Sequence, residues 1–182
     1  MDYSWLHRMD EHGETPMSRV KKSGYQILID LLMRQERAYT REEIEGASQL
    51  EKAAYWGLSD AVTRLLESGT KPNHRGLHGE TPLIRAARNG HQDTVMTLLA
   101  HGADVNTPDE YGMTSLHWVA LNGRVDLAKV LIQQGADVNR RDIVAGGLTP
   151  TGMALLMGYD DLVDLLKSHG GTYLSAGKPS GV

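Results

Sequence analysis

Cysteine is absent from this chain of 182 residues. Its absence excludes disulfides and every thiolate metal site, and it fits a reducing compartment. There is no excess of positive charge: 19 Lys and Arg stand against 23 Asp and Glu, for a net charge of -4 and a pI near 6.0. A dedicated nucleic-acid binder carries a basic excess, so the balance argues against that class. Long apolar runs are missing too. The longest are a few residues, far short of the ~20 that a membrane-crossing helix needs. The opening MDYSWLHRMDEHGETP has no basic start followed by an apolar run, so it does not read as a secretory signal. These absences predict a cytoplasmic protein with no membrane partner and no nucleic-acid partner. What remains is 40% hydrophobic and 23% charged, which suits one globular domain rather than a disordered chain.

Glycine is plentiful and regularly placed. Gly13, Gly46, Gly79, Gly112 and Gly147 are separated by steps of 33, 33, 33 and 35 residues. Gly24, Gly57, Gly90, Gly123 and Gly158 keep the same steps beside them. A fixed period in this range marks a repeat solenoid, whose units bury their apolar faces only against neighbours.

The segment from Gly79 to Asn106, GETPLIRAARNGHQDTVMTLLAHGADVN, serves as the type unit. Gly79 follows a polar turn and can take the positive φ that a tight turn demands. Thr81 is expected to cap a helix with Pro82 at its first position, where no backbone donor is lost. Ala86 and Ala87 let neighbouring helices approach closely, and Gly90 ends the helix in a left-handed cap. A second helix follows, with Val95, Leu98 and Leu99 on one buried face, and Gly102 closes it. Ala103, Asp104, Val105 and Asn106 then lead to the next unit.

This pattern closely resembles the ankyrin repeat. The residues that carry the likeness are Thr81-Pro82-Leu83, Ala86-Ala87, Gly90-His91, Leu98-Leu99 and Gly102-Ala103-Asp104-Val105-Asn106. The next unit repeats them as Thr114-Ser115-Leu116-His117, Ala120, Gly123, Leu131-Ile132 and Gly135-Ala136-Asp137-Val138-Asn139. The resemblance implies an all-α ankyrin-repeat solenoid of stacked helix-turn-helix units joined by hairpin-like loops.

The outer units are worn. The unit from Gly46 has Ser48-Gln49 in place of Thr-Pro but keeps Ala53-Ala54, Gly57, Leu65-Leu66, Gly69 and Asn73. The last keeps Thr149-Pro150, Ala154, Gly158, Leu165-Leu166 and Gly170, and its opening IVAGGL holds the two extra residues of the longer step. The first has Gly13-Glu14-Thr15-Pro16, Gly24, Ile29 and Leu32, with Val20-Lys21 for the alanine pair and Glu36 for the closing glycine. It reads as a divergent capping repeat; an unrelated helical hairpin is the alternative. The expected organisation is a single domain over 1–174, with repeats near 13–45, 46–78, 79–111, 112–146 and 147–174, and a flexible Gly-, Ser- and Pro-rich tail over 175–182. Leu98, Leu99, Val130, Leu131, Leu162 and Leu165 are assigned to the core.

Ankyrin proteins generally bind through the turn tips and the exposed side of the first helices, which line a concave face. Carried over by register, the tips are Glu11, His12 and Glu14; Ile44, Glu45 and Ala47; Leu77, His78 and Glu80; Glu110, Tyr111 and Met113; Ala145, Gly146 and Leu148. The helix positions include Lys22, Ser23, Lys52, Tyr55, Trp56, Arg85, Arg88, Asn89, Trp118, Leu121, Asn122, Met153, Leu156 and Met157. Aromatics, Met and Arg favour interface centres. The expected partner-binding set is therefore Tyr55, Trp56, Arg85, Arg88, Asn89, Tyr111, Met113, Trp118, Leu121, Asn122, Met153, Leu156 and Met157. The arginine pair would favour an acidic side chain on the partner. The competing view is that Trp118 and Met153 are partly core and the rest is ordinary exposed apolar surface.

Other residues only look like chemistry. His117 occupies the Thr-Pro-Leu-His position, whose imidazole typically bonds the turn backbone, and His91 begins a second helix; both read as structural. His74 and His78 have metal-ligand spacing, but Gly76 lies between them in a loop, which spoils the one-helix geometry a metal motif needs. Asp104, Asp137, Asn106 and Asn139 are expected to bond the loop backbone, and Asp160 and Asp161 suit a helix N-terminus. No phosphate loop and no nucleophile in a recognisable setting appears. The expectation is a non-catalytic protein-interaction module, an adaptor or inhibitor of another protein or peptide, monomeric alone, without cofactor or metal. An immunity protein against a toxic enzyme and a self-associating assembly factor are the alternatives.

Overall fold

The computed structural model describes residues 9, 13–15, 18, 21, 48–143 and 146–173. Most of the expected first repeat lies outside them, as do Glu11, His12, Lys22, Ser23, Ile44, Glu45, Ala47, Ala145 and the tail over 175–182. Eight α-helices are found among the described residues: α1 Gln49–Trp56, α2 Ser59–Glu67, α3 Pro82–Asn89, α4 Gln92–Ala100, α5 Ser115–Leu121, α6 Val125–Gln133, α7 Pro150–Met157 and α8 Asp160–Ser168. They pair as four helical hairpins. The first helices α1, α3, α5 and α7 pack successively against one another as an inner row, and α2, α4, α6 and α8 form an outer row. No strand occurs among the described residues.

The caps are those the sequence called for. The Thr81 and Thr149 hydroxyls accept the backbone N–H of Ile84 and Gly152, each at 3.2 Å. Pro82 and Pro150 sit where no helical donor is lost. In the unit without Thr-Pro, Ser48 and Glu51 form a reciprocal capping box. Gly57, Gly90 and Gly158 end the inner helices in the left-handed region, with φ of 70, 78 and 79°. Thr15 also accepts the N–H of Ser18 at 3.0 Å, behind Gly13 at φ 73°. Helices this short are marginal alone, and their stability comes from stacking.

Three devices join one unit to the next. Asn73, Asn106 and Asn139 each donate to the carbonyl that ends the following outer helix, Gly102, Gly135 and Gly170, at 3.0–3.1 Å. Their side-chain oxygens accept the N–H of Asp104, Asp137 and Thr172, each at 2.8 Å. These asparagines therefore bond across units and not only within their own loop. At the turn tips, the Glu110 N–H donates to His78 O and the Ile143 N–H donates to Tyr111 O, both at 2.9 Å. Behind the inner helices, His91, Arg124 and Tyr159 lie over Gly57, Gly90 and Gly123 of the preceding unit. A Cβ on those glycines would come within 2.5, 2.2 and 2.8 Å of the covering side chain. Gly57, Gly90 and Gly123 of the second comb are thus required both for a positive φ and as notches.

Leu98, Leu131 and Leu162 are fully buried between the helix rows. Leu99, Val130 and Leu165, assigned to the same core from sequence, are only partly buried and pack on its margin. They sit on the outer flank of the second helices, where the stack has a single layer behind it.

Candidate functional site

The expected partner-binding residues separate into two groups. Tyr55, Arg85, Asn89, Met113, Trp118, Leu121, Met153 and Met157 are buried. Only Trp56 is well exposed, at 55%, while Arg88, Tyr111, Asn122 and Leu156 are partly exposed. The expectation that all of these residues are available to a partner is corrected accordingly. The reason is local. Glu80, Met113 and Leu148 occupy one register position just after the turn, and all three point inward. Arg85, Trp118 and Met153, one helical turn before the exposed end of the helix, are covered by the hairpins folded across the inner row.

The charges on this face are largely matched within it. Arg85 is 1% exposed and lies between Glu51 and Glu80, at 3.4 Å from each carboxylate. Arg88 donates to Glu80 Oε1 at 2.8 Å and lies 5.1 Å above the centre of the Trp118 ring. Trp118 Nε1 donates to Asp109 Oδ2 at 2.8 Å, and Asp109 Oδ1 accepts the N–H groups of Tyr111 and Met113, each at 2.9 Å. The chain Glu51, Arg85, Glu80, Arg88, Trp118, Asp109 thus runs across three units. Burial raises the Asp109 carboxyl to about 6; the hydrogen bonds from Trp118, Met113 and Tyr111 oppose that rise, and the nearby Glu80 charge adds to it. Glu51 and Glu80 face the two guanidiniums, so Arg85 is not available to an acidic partner as expected, and Arg88 is already engaged.

Sequence reasoning missed Glu51, Asp109 and Gly76, and it set Glu80 among the turn tips although the side chain is buried. Their signal was present in the register. Gly76 stands where the later units have Asp109 and Asp142. A Cβ at Gly76 would lie 1.5 Å from Glu51 Oε1, so the glycine opens the space that the Glu51 carboxylate fills. Glu51 also accepts the Ser48 N–H at 2.7 Å, which joins the network to the α1 cap.

The histidines take separate roles. His117 Nδ1 accepts the backbone N–H of Thr114 at 3.1 Å and meets its hydroxyl at 3.0 Å. Burial lowers its pKa to about 4, so the ring is neutral with its proton on Nε2. His91 Nε2 lies 3.0 Å from Tyr55 O across the unit boundary. His74 and His78 address different carboxylates, Glu51 at 3.8 Å and Glu110 at 2.6 Å. No group of three or more His, Asp or Glu among the described residues is arranged to hold a metal ion.

In a comparison with protein families the chain matches ankyrin repeats, in three copies over residues 50–142, just over half of its length. The chain belongs to the ankyrin-repeat family. A search of curated proteins finds no match. In this ankyrin-repeat protein the structure adds a further unit beyond the matched segment, α7 and α8, with the same threonine cap, glycine stop and asparagine clip. Ankyrin repeats generally mediate protein–protein interaction. No helix among the described residues is long and apolar enough to cross a membrane.

Proposed function

We propose that this ankyrin-repeat protein is a non-catalytic module, monomeric alone and cytoplasmic, that binds another protein through its concave face and turn tips and acts as an adaptor or inhibitor. The observation that carries this reading is Trp56. Its register mates are used to tie units together: Asn89 donates to Tyr55 O at 3.1 Å and Asn122 to Arg88 O at 3.3 Å. Trp56 instead leaves an indole 55% exposed at the end of α1, edge-on to Tyr55 with ring centres 4.8 Å apart. A large, rigid aromatic so placed suits an interface anchor. Arg88, Tyr111, Asn122 and Leu156 extend the accessible face over the following units. The network beneath fixes their positions before binding, which lowers the ordering cost of association.

The test is affinity purification of the full chain followed by mass spectrometry, repeated with Trp56→Ala and Leu156→Ser. A partner recovered by the parent chain and lost from either folded variant supports the reading. Recovery of the same partners by both variants, with unchanged thermal unfolding, rejects this face. Light scattering checks the monomeric state, and a concentration-dependent dimer would favour self-association.

A further inference from the structure

The turn tips carry a pattern that the concave helices do not. Backbone hydrogen bonds from Glu110 to His78 and from Ile143 to Tyr111 hold three successive hairpins side by side. Equivalent residues therefore form rows along the edge of the stack. One row reads Leu77, Glu110, Ile143, and a neighbouring row reads Arg75, Pro108, Arg141. Leu77 and Ile143 are 41% and 74% exposed, and both arginines are exposed. Neither guanidinium forms an ion pair among the described residues.

The acids in the same loops are engaged. Asp104 and Asp137 accept the backbone N–H of Asn106 and Asn139, each at 2.9 Å. Glu110, between the two apolar tips, meets the His78 ring at 2.6 Å. The outer helices carry the opposite sign, with Asp60, Asp93, Asp126 and Asp161 at equivalent first-turn positions, all exposed. The hairpin edge thus offers two cation-plus-aliphatic stations, two units apart.

We infer that this edge docks an extended acidic segment of a partner protein, with two carboxylates bracketing an aliphatic stretch. Packed helices stand about 8–10 Å apart, so Arg75 and Arg141 are roughly 16–20 Å apart along the stack. An extended chain rises ~3.3 Å per residue, so the matching carboxylates lie about six residues apart, an even separation that keeps both on one side. Alternate side chains of such a segment project to opposite sides, which lets carboxylates reach the arginine row while aliphatic groups meet Leu77 and Ile143. The inference rests on the protein-binding reading above but uses a different surface from Trp56 and Leu156.

The experiment is a titration of the full chain against a capped, dye-labelled peptide of about seven residues, with glutamate at both ends and alternating aliphatic residues and serine between. A second peptide carries lysine at both ends, and a third brings the two glutamates to within two residues. Saturable binding of the first peptide is expected. Binding should be at least about tenfold weaker for the other two, and weaker again as salt rises. Arg75→Glu and Arg141→Glu should each reduce it about tenfold with unchanged thermal unfolding, while Arg64→Glu on α2 leaves it intact. No saturable binding, equal binding of the lysine peptide, or full binding by both charge-reversal variants overturns the inference. If the peptide fails while purified partners still depend on Trp56 or Leu156, the edge is rejected and the concave-face reading stands.

Discussion

Replacing Gly57 with alanine tests whether the glycine comb is a notch or only a turn. Gly57 has φ 70°, so any Cβ costs about 1–2 kcal/mol in the left-handed region. The added methyl would also meet the His91 ring, whose nearest atoms stand 2.5, 2.6 and 2.9 Å from the Cβ position. His91 must then swing away and give up its contact with Tyr55 O at 3.0 Å, a loss of about 1 kcal/mol before packing is counted. The expected total for Gly57→Ala is about 3 kcal/mol. Gly69 supplies the control: its φ is 92° and nothing lies within 4 Å of a Cβ there. Gly69→Ala should therefore cost only the backbone term, about 1–2 kcal/mol. Urea unfolding followed by circular dichroism gives both values. The double variant Gly57→Ala/His91→Ala should be less destabilised than the sum of its singles by about 1 kcal/mol, because the clash is removed with the ring. Equal costs at Gly57 and Gly69, or strict additivity with His91→Ala, would refute the notch.

The remaining predictions follow from the same contacts. Gly76→Ala should cost about 3–5 kcal/mol although its φ is ordinary, because the methyl displaces the buried Glu51 carboxylate from Arg85; unfolding no more costly than at Gly69 would contradict this. Trp118→Ala should cost about 3–5 kcal/mol, whereas Trp56→Ala should stay within about 1 kcal/mol, given their exposures of 1% and 55%; denaturant midpoints decide. Asn106→Ala removes two inter-unit hydrogen bonds, to Gly135 O and from the Asp137 N–H, and should cost about 1–3 kcal/mol. Acid should act through two opposed groups. His117 is lowered from 6.5 to about 4, so its contribution is fully present above pH 6.5 and is lost as pH falls towards 4. Asp109 is raised from 3.8 to about 6, so it weakens the fold above pH 6 and ceases to do so as pH falls towards 3.8. The two largely cancel between about pH 6 and 4, and Asp109→Asn should expose the His117 loss as a steeper fall in stability across that window.

Most of the architecture was legible because it is written in residues with one job. A glycine at a left-handed cap, a threonine before a proline, and an asparagine after Ala-Asp-Val each satisfy a backbone requirement that recurs in every unit, so spacing alone located them. Exposure was less legible. Arg85 and Arg88 are three residues apart on α3 and have the same chemistry, yet one is sealed under a hairpin and the other is partly open. That difference depends on what the neighbouring unit places opposite. Met113 and Tyr111 are two residues apart, and the turn at Gly112 sends one under α5 and leaves the other at the rim. Family register tells which row a side chain belongs to, but the depth of that row depends on the hairpin lying across it.

The buried network shows the same limit and has a consequence for binding. The hairpin at Gly76 lacks the acid that Asp109 and Asp142 supply later, and Glu51 on the preceding inner helix fills its place. The charge that fixes this hairpin therefore comes from the helix before it, and the hairpin sequence read in isolation would not reveal it. Because Glu51 and Glu80 already hold Arg85 and Arg88, adding a partner carboxylate to the centre would mean desolvating it beside acids already in place. Electrostatic attraction for an acidic partner is then weaker where the sequence placed it, at the arginine pair, than at the exposed Arg75 and Arg141 of the hairpin edge. Reversing Arg75 or Arg141 should consequently change binding without changing stability, whereas altering Arg85 should change stability first, and comparing the two effects separates partner recognition from the scaffold beneath it.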